Sequence, residues 1–142
     1  MNMNPPDTTA KLGAELRNAA LDLLDAIETA LAEAAMLRHR LQRLAGRTCT
    51  GAEHWRDADS SSPKLYVNHG IDEACPLHGT PEPGTRIRTY VGTKPSRQKR
   101  ARAAMHAETM RRAYEQRLAA INSTLNTSHR LQQITRALRE HY

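Results

Sequence analysis

Two apolar stripes of helical period, one toward each end of the 142-residue chain, limit what it can fold into more than any other feature. In the first, Leu16, Ala20, Leu23, Ile27, Ala30, Ala34, Leu37, Leu41 and Leu44 recur by fours and threes, an a/d seam held for about four heptads. Leu24 and Leu31 widen it. Residues 7–46 therefore read as one acidic long helix, roughly 55–60 Å in length at about 1.5 Å per residue. Asp7, Thr8 and Thr9 offer capping side chains, with residues 1–6 frayed ahead of them. Gly46 offers a stop, and Arg38, Arg40 and Arg43 suit the negative end of the helix dipole.

The second stripe runs through Ala107, Met110, Tyr114, Leu118, Ile121, Leu125, Leu131, Ile134 and Leu138, inside a basic long helix at residues 93–142. Thr93 or Ser96 can cap it, and Pro95 is tolerated in a first turn. The pattern blurs at 122–128, "NSTLNTS", where Asn, Ser and Thr side chains compete for backbone hydrogen bonds. Either a soft spot in a continuous helix or a break is expected there. Neither helix can leave its leucines in water, so each must find a partner. The expected arrangement is an elongated antiparallel helical hairpin, coiled-coil-like, with a homo-oligomer as the competitor. Composition agrees: there is no Phe, one Trp and four Tyr, and Ala and Leu dominate the apolar content, which suits helix-on-helix packing.

Residues 47–92 have a different texture. "PKLYVNHG" and "TRIRTYVG" carry β-branched and aromatic residues, and Ile87 alternates with Arg86 and Arg88. They read as the two strands of a β-hairpin, at 64–68 and 85–91, inserted between the helices, with 56–63 a polar linker and 69–84 a long tip loop. The fold class is thus mainly α, in a single domain covering 1–142.

Charge is segregated along the chain. The formal net charge is +6, but residues 1–33 carry −4, while 86–117 hold ten Lys or Arg against only Glu108 and Glu115. Arg86, Arg88, Lys94, Arg97, Lys99, Arg100 and Arg102 would gather at the junction of the hairpin and the second helix. Cations at a helix N-terminus oppose the macrodipole, at a cost of a few tenths of a kcal/mol each, roughly. Five of them there point to another use, and phosphate neutralisation is the obvious one. Tyr66, Tyr90 and Trp55 could stack on bases, although cross-strand packing is the simpler role for the two tyrosines.

The loop "HGIDEACPLHGTPEPG" raises the question of a metal. Cys75 and His78 form one short-spaced ligand couple. Cys49 and His54 could supply a second, giving Cys₂His₂ zinc, with His69 a spare. Only half of a recognised spacing is present, so the favoured expectation is no cofactor, with Cys75 a small buried residue in a loop shaped by its glycines and prolines. A Cys75–His78 nucleophile–base pair lacks an evident pocket. No carboxylate pair, phosphate loop or nucleophile elbow occurs elsewhere, so an enzyme is not expected.

Two cysteines do not make a secreted disulfide framework, and no signal peptide or membrane-length apolar run is visible, which favours the cytoplasm. The expected function is a non-enzymatic basic adaptor that binds DNA or RNA through the seven cations. The alternative is a protein-binding inhibitor or regulator, for example a mobile-element product that acts through the helical seam on another protein's nucleic-acid machinery. A structural coiled-coil assembly is the third reading.

Overall fold

The computed structural model describes residues 5–141, with side chains for 8–140. The element order is α1 (Pro5–Leu44), β1 (Ala52–Arg56), β2 (Lys64–Asn68), β3 (Arg88–Gly92) and α2 (Pro95–His141). Two helices with a small antiparallel sheet between them in sequence make a mainly helical chain. No helix among the described residues is long and apolar enough to cross a membrane. The chain divides into two compact units: the described residues of Met1–Leu37 with Leu118–Tyr142, and Arg38–Arg117.

Helix α1 starts at Pro5, ahead of the expected Asp7–Thr9 cap, with both prolines in its first turn, where their missing N–H groups cost nothing. The fraying expected for 1–6 falls partly outside the described residues. The helix stops as its sequence dictates. Gly46 takes φ +74°, a left-handed conformation that favours glycine, and the Arg47 amide donates to the Leu44 carbonyl. Helix α2 starts with Pro95, and Lys94, rather than Thr93 or Ser96, occupies the position before it. The Gln98 side chain donates to the carbonyls of Pro63 and Gly92, both at 2.9 Å, which ties the first turn to the sheet. Residues 122–128 do not break the helix. Thr124, Thr127 and Ser128 turn their hydroxyls back onto the carbonyls four residues earlier, so the groups that could compete with the helix are satisfied inside it.

In the first unit, Ala34, Leu37 and Ile121 are buried. Leu23 and residues of 128–139 from α2 line one groove. Farther along both helices the stripes are open to solvent. Leu16 is 72% exposed, and Leu23, Leu131, Ile134 and Leu138 are each more than half exposed.

The inserted element in the second unit is not a two-stranded hairpin. It is a three-stranded antiparallel sheet in the order β1-β2-β3, with β2 in the centre. The added strand, Ala52–Arg56, lies just ahead of the expected 56–63 linker, where no strand is expected because "AEHWR" is mostly polar and sits at an exposed edge. The third strand begins at Arg88 rather than at residue 85. Before it, Thr85 and Ile87 instead give their carbonyls to the amides of Asp72 and His69. On β2, Leu65 and Val67 are buried and Tyr66 lies between them on the other face. Tyr66 pairs with Tyr90 across the strands, as their spacing suggested.

The 69–84 segment is not an extended tip. It folds back so that Cys75 joins Cys49 and Val67 in a buried cluster, against which Val91, Ala101, Ala104 and Met105 of β3 and α2 pack. This core is small. Among the described residues, Leu65 and Val67 are the only large apolar side chains fully buried, worth about 1.5–3 kcal/mol each. Two thiols occupy places where a larger domain would put leucines.

Candidate metal centre

Three separate pieces of the second unit converge on one point. Cys49 comes from the segment after α1. Its amide donates to the Ala104 carbonyl of α2 at 3.1 Å, and the preceding Thr48 hydroxyl reaches the Glu108 carboxylate on the same helix. His69 follows β2 and continues its inward alternation after Leu65 and Val67. Its amide donates to the Ile87 carbonyl at 3.0 Å. Cys75 and His78 come from a tight turn closed by two backbone bonds between Cys75 and Gly79, each 2.8 Å, with Gly79 at φ +89°. The turn around them is braced by Asp72, whose carboxylate accepts from the Gly84 amide at 2.6 Å.

The ligand atoms of Cys49, His69, Cys75 and His78 all lie within 4.8 Å of one another, and three of the four residues are buried. Cys49 Sγ is 3.6 Å from His69 Nε2 and 3.6 Å from His78 Nδ1, and Cys75 Sγ is 3.4 Å from His78 Nδ1. A zinc ion bound tetrahedrally, with Zn–S of about 2.3 Å and Zn–N of about 2.0–2.1 Å, requires sulfur–nitrogen edges of about 3.5–3.6 Å. Those three sulfur–nitrogen separations, 3.4–3.6 Å, come close to that requirement. Both cysteines are free thiols.

The surroundings prepare the set for a cation. His69 Nδ1 lies 3.2 Å from the Ile87 carbonyl oxygen, so a proton there leaves Nε2 as the free donor atom. Burial opposes ionisation of Cys75. The backbone N–H groups of Thr50, His78 and Leu77 outweigh it and hold the thiol below its ordinary range. Burial pushes the Cys49 thiol up, and the neighbouring Cys75 adds to this, against a bond from the Gly51 amide at 3.4 Å. A cation bound between them would favour both thiolates. Gly51 leaves the room this needs. A Cβ there would overlap Val67 Cγ1 and lie 3.0 Å from both Cε1 and Nε2 of His69.

Of the residues that spacing singled out for zinc, the structure brings together Cys49, Cys75 and His78, and not His54. His54 lies on β1 directly opposite Tyr66, hence on the sheet face turned away from Leu65 and Val67, and it is exposed. His69 takes the fourth place. The signal for it was in the sequence: Leu65, Val67 and His69 keep one period of two.

The cations are placed as follows. Arg86, Arg88, Lys94, Arg97, Lys99, Arg100 and Arg102 are all exposed. Arg102 pairs with Glu53 at 2.8 Å, and Arg88 donates to Asn68 at 3.4 Å. The other five meet no carboxylate among the described residues. Also in the second unit, Arg40, Arg43, Arg47, His106 and Tyr114 line one groove, and the Arg40 guanidinium lies 5.5 Å over the Tyr114 ring.

No protein-family model, curated protein or solved structure matches this chain.

Proposed function

We propose that this chain is a non-enzymatic nucleic-acid-binding adaptor whose cationic surface is held in shape by a structural zinc bound to Cys49, His69, Cys75 and His78. Four protein ligands complete a tetrahedron and leave no open position for a substrate or water, which is the pattern of structural rather than catalytic zinc. The two thiolates suit the ion, and a reducing, cytoplasmic setting suits the thiolates. The observation that carries the nucleic-acid reading is the set of five exposed cations, Arg86, Lys94, Arg97, Lys99 and Arg100, with no carboxylate among the described residues to neutralise them. A polyanion releases counterions when it meets such a set, and its affinity falls steeply with salt. Anisotropy titrations of labelled DNA and RNA at low and moderate salt test this. Loss of affinity between the two conditions supports the reading, and no binding at either overturns it.

A second reading rests on the first unit. The exposed leucines of α1 and α2 favour a protein contact, either a second copy of the chain or a partner that the chain inhibits or regulates, as a mobile-element product does. In this reading the stripes pair as an antiparallel hairpin of coiled-coil type, and the open ends complete their packing against the partner. Sign reversal at Arg97, Lys99 and Arg100 separates the two readings. Only the first loses its function to it.

A further inference from the structure

The outer face of the sheet carries an arrangement that neither the metal centre nor the helix cations use. Antiparallel register places His54 opposite Tyr66 and Tyr66 opposite Tyr90, so three rings form one row across all three strands. Their centroids are spaced 6.4 Å and 4.9 Å apart. Alternation along β2 puts the row on the side away from buried Leu65 and Val67. Pairing leaves the two outer rings open: Tyr90 remains 55% exposed and His54 is exposed, with Tyr66 half-buried between them. The neighbouring rows on the same face are cationic. Arg56 pairs with Lys64 on one side, and Asn68 pairs with Arg88 on the other. The Arg56 guanidinium lies 5.2 Å over the Tyr66 ring. Among the described residues, the only acid bonded to these three cations is Asp57, which reaches Lys64 at the sheet margin.

Exposed rings flanked by cations match a ligand that is both flat and polyanionic. A duplex stacks its base faces against each other and offers a flat ring only base edges and phosphates. A single strand offers unstacked bases to the rings and phosphates to the arginines. We infer that this sheet face is a single-stranded nucleic-acid platform, with His54, Tyr66 and Tyr90 stacking on bases and Arg56, Lys64 and Arg88 holding the backbone on either side. The inference rests on the nucleic-acid reading above and names the form of nucleic acid and the surface that selects it.

The test is anisotropy with labelled oligo-dT, oligo-U and a hairpin duplex. Wild type is expected to bind the single strands more tightly than the duplex. Tyr90→Leu keeps apolar bulk but removes the ring, and should weaken single-strand binding between about fivefold and a hundredfold while leaving duplex binding unchanged. Tyr90→Phe should restore it. His54→Leu, on an exposed edge strand, gives an independent variant if Tyr90→Leu does not fold. Single-strand affinity unchanged in both leucine variants, or a preference for duplex, overturns the platform. If those variants bind normally while Arg97→Glu/Lys99→Glu/Arg100→Glu does not, the platform fails and the adaptor reading survives. If wild type binds no nucleic acid, both fall.

Discussion

His69 and Ile87 are joined twice: the histidine amide donates to the Ile87 carbonyl at 3.0 Å, and the ring Nδ1 lies 3.2 Å from the same oxygen. One carbonyl therefore fixes both the backbone and the ring, and turns Nε2 toward Cys49. An isolated histidine on a loop would sample several rotamers. Here the cost of choosing one is met during folding of the sheet rather than at metal capture.

Native mass spectrometry is expected to show one zinc per chain. Cys75→Ser and His69→Ala should each abolish stoichiometric zinc, whereas His54→Ala should retain it. Chelation should lower the thermal transition of the wild type and have little effect on the two ligand variants.

Gly51→Ala should act on the site without touching a ligand. The added methyl meets Val67 and the His69 ring, and both are buried, so neither can swing aside. A loss of about 1–3 kcal/mol in denaturant unfolding is expected, as for other overpacked cores, together with weaker zinc retention against a competing chelator. Unchanged stability would show that the cluster is looser than its geometry.

Glu108 gives a pH signature. Its carboxylate is 4% exposed and is held down to about 2 by the hydrogen bond from Arg111 first, with Thr48 and Arg112 adding to it against the opposing effect of burial. A carboxyl depressed in this way adds stability that is present above its ordinary value of 4.5 and lost as pH falls toward about 2. Glu108→Gln should flatten the decline in that window and cost about 1–3 kcal/mol at neutral pH. Urea midpoints across pH would measure both effects.

The open stripes of the first unit make a prediction about mass. If a second copy covers them, light scattering should give a multiple of the 15.9 kDa chain mass, and Leu131→Gln/Ile134→Gln should return it to the monomer. A wild-type monomer at high concentration would leave those leucines to a different partner.

Much of this architecture is legible in the sequence where a local rule acts alone. Gly46 ends α1 because a left-handed residue is needed there. Residues 64–68 form a strand because Tyr66 and Val67 favour extended backbone. The Tyr66–Tyr90 pair follows from strand pairing. The failures share another cause. Strand β1 has too few apolar residues to announce itself, and its pairing is supplied by β2. His69 and Cys49 are twenty residues apart in sequence and meet only because the 69–84 segment folds inward. His54 lies nearer to Cys49 in sequence but is turned outward by register. Spacing finds ligands that share a turn, such as Cys75 and His78, and cannot find those brought together by a sheet.

The Cys49 amide bond to Ala104 has a wider consequence. A ligand fastened to the middle of a helix turn makes that turn part of the binding equilibrium. With thiols in place of a larger apolar core, the proposed zinc would tie the ordered fraction of the second unit to free zinc by mass action. In a cell, the amount of competent protein would become a readout of the zinc supply, with no separate sensor required.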